Sequence, residues 1–193
     1  MSDLSNKPAA RAYFKSILES IDSDTRRSRS HRAAELLSQT PEFQNADLVM
    51  VFLSMREEID TSQVALAAWE AGKKVVAPQV SWNARKLTPV EINSLSDVES
   101  ISVEFWKERG IEGQPMPIAE IDLVLVPALG YSTDGQRLGR GLGFYDRFLI
   151  ERDLRAVACG LGFEAQVVEQ IPFEAHDARL KMLVTDEQVR RFS

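Results

Sequence analysis

The sequence predicts a three-layer α/β/α sandwich on a mostly parallel, Rossmann-like sheet, and three observations carry the prediction. Apolar runs with β-branched residues, at 48–53, 123–126 and 156–161, read as strands buried on both faces. Helical periodicity fills the stretches around them, so the two element types alternate along the chain. The first run leads through a helix to a second short strand at 74–78, an order that implies a right-handed crossover and parallel pairing.

Taken in order, the first helix opens at Lys7-Pro8, where a missing proline N–H costs least. Phe14, Ile17, Leu18 and Ile21 form its apolar face, and Lys7, Arg11 and Lys15, four apart, share one stripe. A solvated basic face is the ordinary explanation of such a stripe. Ser23 or Asp24 caps a second helix carrying Arg26, Arg27, Arg29, Arg32, Ala33, Leu36 and Leu37, and Thr40-Pro41-Glu42-Phe43 starts a short third. Beyond the strand at 48–53, Asp60 with Gln63 has the spacing of a capping box for a helix over 64–71, which Gly72 closes.

From 80 to 117 the pattern weakens. Residues 87–92 read as a strand, 104–113 is mixed, and Trp82 and Trp106 stand alone. Either tryptophan has its ordinary place in the core; stacking on a flat heterocycle is the alternative. The run at 121–127 is the strongest strand, a helix begins near Phe144, and 156–161 follows with Cys159 as a small core residue. Residues 166–169 read as helical up to Pro172, and His176-Asp177 precede a last strand at 182–185. Residues 1–193 are expected to form one domain.

A net charge of −6 and a pI near 5.1 argue against nucleic acid or an anionic membrane as the main partner, since both need extended basic surface. One cysteine cannot form an internal disulfide, which fits a reducing compartment. No apolar run has the length of a membrane span, and the first residues lack a signal peptide's apolar core. The expectation is a soluble, cytoplasmic protein.

Against that acidic background, residues 135–147 concentrate Gly135, Gly139, Gly141 and Gly143 between Arg137, Arg140 and Arg147. Glycines let backbone approach a ligand closely and take positive φ, and guanidinium forks with free backbone N–H groups suit phosphate oxygens. No Gly-Lys-Ser/Thr follows, so this is not a Walker A loop, and the preceding strand ends too early for the dinucleotide fingerprint. The loop runs into the helix near Phe144, whose N-terminus favours negative charge. Asp146 in that first turn is either a dipole-complementing surface acid or a ligand to a metal accompanying a polyphosphate.

The two histidines, His31 and His176, form no Ser/His/Asp or Cys/His arrangement, and zinc-ligand spacing is absent. Phosphoryl transfer needs little beyond positioning and charge neutralisation, so the residues point to a nucleotide-dependent transferase or ligase.

Four spaced motifs now fall in one order. They are Lys7-x-x-x-Arg11; Phe52-Leu53-Ser54-Met55-x-x-Glu58-Ile59-x-Thr61; Arg137-Leu138-Gly139-Arg140-Gly141-x-Gly143-x-Tyr145-Asp146; and Gln166 with His176-Asp177. Together they resemble the 5-formyltetrahydrofolate cyclo-ligase (5,10-methenyltetrahydrofolate synthetase) family, from residue 7 to about residue 186. The resemblance implies ATP- and Mg²⁺-dependent conversion of 5-formyltetrahydrofolate to 5,10-methenyltetrahydrofolate, with release of ADP and phosphate and no enzyme nucleophile. It implies that Lys7 and Arg11 hold the triphosphate and that Arg137, Leu138, Gly139, Arg140, Gly141, Leu142, Gly143, Phe144 and Tyr145 wrap the ATP. Arg140 would also face the transferred group. Asp146 and Asp177 would serve Mg²⁺, Met55 and Glu58 would line the folate site, and the protein would be a monomer or weak homodimer. Departures are Leu142, where many members have Lys or Gly; Phe144, usually Tyr; Gln79-Val80, often Arg and an aromatic; and Lys181, frequently Asp. Two rivals follow. A non-catalytic folate or nucleotide binder would keep its ligands without releasing ADP. A sugar-phosphate isomerase of similar architecture is disfavoured because no base poised for carbon deprotonation is evident.

Overall fold

The computed structural model describes residues 4–95, 113–174 and 177–193. Trp106, His176 and, apart from Gly113, the stretch expected to be mixed at 104–113 lie outside them. In chain order the elements are α1 (Lys7–Ser20), α2 (Ser23–Ser38), α3 (Pro41–Gln44), β1 (Leu48–Met50), α4 (Ser62–Glu70), β2 (Lys74–Ser81), β3 (Lys86–Ile92), β4 (Leu123–Val126), β5 (Gly130–Ser132), β6 (Arg137–Leu138), α5 (Phe144–Leu149), β7 (Val157–Leu161), β8 (Val167–Val168), β9 (Met182–Val184) and β10 (Val189–Arg191).

Among the described residues a seven-stranded sheet runs β10-β9-β7-β4-β1-β2-β3. Its five central strands pair in parallel, and β3 and β10 close the edges antiparallel. The alternation of strands and helices therefore gives the expected α/β class and mostly parallel sheet. Strand side chains sort by the period of two. Val49, Val75, Leu123, Leu125, Cys159 and Val184 face a core shared with Ala10, Phe14 and Leu18 of α1, Ala33 and Leu37 of α2 and Val64 and Ala68 of α4. Leu48, Met50, Val76, Val124, Val126 and Leu183 face the other core, with Phe148 of α5 and Tyr131 of β5. Cys159 is thus the buried core residue expected, and burial pushes its thiol pKa well up.

A second sheet, β6-β5-β8, sits across the ends of β4 and β7. The Tyr131 hydroxyl joins the two, donating to the Val126 and Leu161 carbonyls at 3.1 and 2.9 Å. This sheet corrects the helix expected at 166–169. A short 3-10 turn, Glu164–Gln166, gives way to β8, which pairs in parallel with β5. Val167 and Val168 are β-branched, and an open strand edge outweighs a weak helical pattern. Gln166 is buried, donating to the Ala128 and Leu129 carbonyls and accepting from Phe163 N–H, and so pins the chain after β4.

Smaller differences are local. Asp22, not Ser23 or Asp24, caps α2, its Oδ1 accepting from the Asp24 and Thr25 N–H groups. No Asp60/Gln63 box forms; Thr61 stands at the N-cap of α4 while Asp60 Oδ1 accepts from Ser62 N–H. Gly72, at φ 73°, ends that helix as expected. The strand expected at 48–53 ends at Met50 while the chain stays buried through Phe52, and the one expected at 121–127 runs only from Leu123 to Val126. Strand β10 had no strong apolar signal and is held by its antiparallel register with β9.

Candidate functional site

Strand order reverses at β1: through α4 the chain places β2 on one side, and β4 later takes the other. Such a switch opens a crevice at the carboxyl ends of the strands. A cavity of about 790 Å³ lies there, bordered by Val51 to Met55 after β1, Pro78 of β2 and Pro127 and Ala128 after β4. All fifteen residues singled out from the sequence border it: Lys7, Arg11, Met55, Glu58, Arg137, Leu138, Gly139, Arg140, Gly141, Leu142, Gly143, Phe144, Tyr145, Asp146 and Asp177.

The glycines divide their work. Gly135, at φ 88°, makes the turn between β5 and β6, where a Cβ would fall 2.7 Å from the Phe192 ring; it serves the hairpin rather than the cavity. Gly141, at φ 96°, lies beneath the Arg11 guanidinium, and a Cβ would sit 3.3 Å from it. Gly143, at φ 67°, is the N-cap of α5. Gly139 needs no positive φ; its carbonyl accepts from Arg11 Nε at 3.0 Å, tying α1 to the loop across 128 residues.

Three of the cavity's cations are already paired. Arg137, its side chain 4% exposed, donates from both terminal nitrogens to Asp146 Oδ1 at 2.8 Å and from Nη1 to the Ala178 carbonyl at 3.1 Å. Arg140 donates from Nε and Nη2 to Glu58 Oε1 at 3.1 and 2.9 Å, and from Nη2 to Glu57 Oε1 at 3.2 Å. Burial alone would lower the Arg140 pKa, but the two carboxylates hold it above its ordinary value. Lys7 Nζ donates to Asp177 Oδ2 at 2.8 Å and lies 3.4 Å from Glu174 Oε2. Lys15, the third member of the α1 stripe, pairs with Glu19 in solvent, so the stripe divides between site and surface. Arg147 turns away from the cavity, donating to the Arg85 and Leu142 carbonyls.

Counting the border, Lys7, Arg11, Arg137 and Arg140 face Glu58, Asp60, Asp146, Glu174 and Asp177, four cations against five acids. Among the described residues no group of three His, Cys, Asp or Glu side chains gathers as a ready cation site. Asp146 takes its bonds from Arg137 and from Ala178 N–H on Oδ1 alone. The Tyr145 hydroxyl is buried and has no hydrogen-bond partner among the described residues, and burial, then the Glu58 charge, raise its pKa so that it remains a donor. Glu57 was not legible as a site residue, and for Trp82 stacking on a flat heterocycle stood only as the alternative to a place in the core. Glu57 reads as a surface acid until the loop brings Arg140 back over it, and only tertiary structure takes Trp82 out of the core, 39% exposed at the cavity's edge.

A sequence model described as the 5-formyltetrahydrofolate cyclo-ligase family matches residues 3–186. The 5-formyltetrahydrofolate cyclo-ligase of Mus musculus is 24% identical, with 95% of each chain covered. That of Escherichia coli K12 is 29% identical over 82% of this chain and 88% of its own. Among solved structures, the 5,10-methenyltetrahydrofolate synthetase of Aquifex aeolicus superposes with a TM-score of 0.78 at 23% identity, covering 96% of this chain and 92% of that one. At this identity the superposition speaks to the fold.

Proposed function

Because this chain belongs to the 5-formyltetrahydrofolate cyclo-ligase family, we propose how its own residues divide the work of that reaction. The enzyme is a ligase that uses ATP to convert 5-formyltetrahydrofolate to 5,10-methenyltetrahydrofolate, releasing ADP and phosphate. The formyl oxygen attacks the γ-phosphorus and ADP departs. N10 then adds to the activated formyl carbon and loses its proton, and the C–O bond breaks to free phosphate. Neither step needs a covalent bond to the protein, in keeping with a cavity that offers charge and hydrogen bonds rather than a nucleophile.

The observation that carries the assignment of roles is the Arg140–Glu58 pair, which joins the glycine loop to the segment after β1 inside one cavity. Lys7 and Arg11 receive the triphosphate from α1, and residues 137–145 wrap it. Arg140 faces the transferred phosphoryl group, where a fixed guanidinium acts most strongly as charge develops. Met55 and Glu58 line the folate side, with Glu58 accepting from the pterin.

Mg²⁺ is the cation we assign to the nucleotide. Four cations against five acids leave the border no surplus positive charge for a triphosphate. Magnesium is commonly held by one or two carboxylates with substrate phosphates, and Asp146 and Asp177 are the acids we assign, Asp146 through the oxygen that Arg137 leaves. When bound, the ion would neutralise phosphate charge.

We further assign one domain over 1–193, acting as a monomer or weak homodimer without nucleic-acid or membrane partners. No helix among the described residues is long and apolar enough to cross a membrane. The bacterial relative and the lone buried thiol favour the cytoplasm. The test is direct: purified protein with ATP, Mg²⁺ and 5-formyltetrahydrofolate should yield the methenyl product by its near-ultraviolet absorbance, with ADP in equal amount. Retention of both ligands without ADP, or ADP without product, would overturn the proposal.

A further inference from the structure

We infer that Glu57, which lies outside the cavity border, is a positioning residue for phosphoryl transfer: it holds the plane of the Arg140 guanidinium, so that the arginine's free edge meets the transferred group already oriented. This role rests on the cyclo-ligase reading above and belongs to a residue that no ligand touches.

Glu57 and Glu58 are consecutive acids on one tight turn, closed by the bond from Glu58 N–H to the Met55 carbonyl at 3.0 Å. The segment that carries the turn is fastened at its base. Thr61 N–H donates to Ser54 Oγ at 3.1 Å, the Thr61 hydroxyl to the Phe52 carbonyl at 2.6 Å, and Asp60 N–H to Ser30 Oγ of α2 at 2.9 Å. Carboxylates on such a platform can fix another side chain, because they are themselves held in place.

The two acids grip Arg140 differently. Glu58 receives Nε and Nη2 on the same oxygen, Oε1, while its other oxygen is taken by Met55 N–H. Two donors converging on one point locate the guanidinium but leave it free to rock about that point. Glu57 supplies the second point: its Oε1 accepts from Nη2 at 3.2 Å, the one hydrogen bond of its side chain among the described residues. Nε and Nη2 are then occupied, and Nη1, on a side chain that borders the cavity, has no partner among the described residues. A donor fixed in advance needs no reorientation as charge develops on the transferred group.

Neither stability nor affinity accounts for Glu57. With its side chain 27% exposed, the pair adds little to stability, and a carboxylate beside the arginine works against a triphosphate by like charge. What it offers the site is orientation.

The experiment measures the single-turnover rate, the KM for ATP and the melting temperature for wild type, Glu57→Ala, Glu57→Gln, Arg140→Ala and the double variant Glu57→Ala/Arg140→Ala. Glu57→Ala should lower the single-turnover rate roughly tenfold, short of the about 10²-fold that a misplacement of about 1 Å can cause. The KM for ATP should not rise, and the melting temperature should stay within a few degrees of wild type. Glu57→Gln, of the same size, keeps an acceptor without the charge and should retain most of the rate. In the Arg140→Ala background, Glu57→Ala should have little further effect, since it acts through that arginine. A rate unchanged or raised in Glu57→Ala would mean that Glu57 competes with phosphate for Arg140 rather than orienting it, and would overturn the inference. So would a Glu57→Gln variant as slow as Glu57→Ala, a further tenfold loss in the Arg140→Ala background, or a raised KM with a lowered melting temperature, the mark of a structural role. Each of these outcomes leaves the cyclo-ligase reading standing. A wild type that forms no methenyl product would overturn both.

Discussion

Arg140 and Glu58 stand 82 positions apart in sequence, yet Nε and Nη2 of the arginine both reach Glu58 Oε1, at 3.1 and 2.9 Å. Glu58 is only 8% exposed, and its other oxygen accepts from Met55 N–H at 3.0 Å. The residue assigned to the phosphoryl group and the residue assigned to the folate therefore share one bond network before any ligand arrives.

That sharing makes Arg140→Ala a compound change. It should lower turnover by roughly 10²–10³-fold, the scale for one lost donor facing developing charge, and cost about 1–3 kcal/mol of stability because Glu58 is left buried without its cation. Adding Glu58→Gln should recover the denaturation midpoint but not the turnover. Parallel recovery of both in single-turnover and urea measurements would count against a role for Arg140 in chemistry.

Asp146→Asn tests the other pair. Arg137 would lose a charged partner while staying buried, so the melting temperature should fall; loss of a buried pair by truncation costs roughly 3–5 kcal/mol, and the amide retains part of the hydrogen bonding. If Asp146 also serves magnesium, the Mg²⁺ concentration for half-maximal rate should rise in Asp146→Asn and in Asp177→Asn. A lowered melting temperature with an unaltered Mg²⁺ titration would assign Asp146 to structure alone.

Gly141→Ala should weaken ATP binding. At φ 96° a side chain is strained, and its Cβ would come within 3.3 Å of the Arg11 guanidinium. Strain of about 1–2 kcal/mol, together with displacement of Arg11, predicts a raised KM for ATP and a melting temperature lowered by a few degrees. Gly139→Ala, where nothing lies within 4 Å of the added carbon, is the contrasting variant and should bind ATP nearly as wild type.

The acid limb of stability should depend on Glu164. Its carboxylate accepts from Arg190 and, at 2.7 Å, from the Thr185 hydroxyl, and Arg190 chiefly holds its pKa below the usual value. A folded-state pKa below the unfolded value of about 4.3 means that the stabilisation is present above that pH. It is lost as pH falls through the folded value. Glu164→Gln should lower stability at pH 7 by about 1 kcal/mol and flatten the loss on acidification, read as urea midpoints across pH 3–7.

The sequence by itself determined the sheet and picked out the glycine and arginine loop that borders the cavity. Apolar runs too continuous for one-sided strands required a sheet covered on both faces. The glycine and arginine loop was legible because its residue types are costly anywhere but beside a ligand or solvent, whereas Lys7, Arg11, Met55 and Glu58 were drawn to the site only by the family resemblance. Tertiary structure alone decided the pairings. Periodicity carries no information on which carboxylate an arginine meets 82 residues away, so Glu57 went unread, as did the outward turn of Arg147. A short paired strand likewise overrode the helical pattern at 166–169, because an open sheet edge satisfies backbone hydrogen bonds that local propensity cannot.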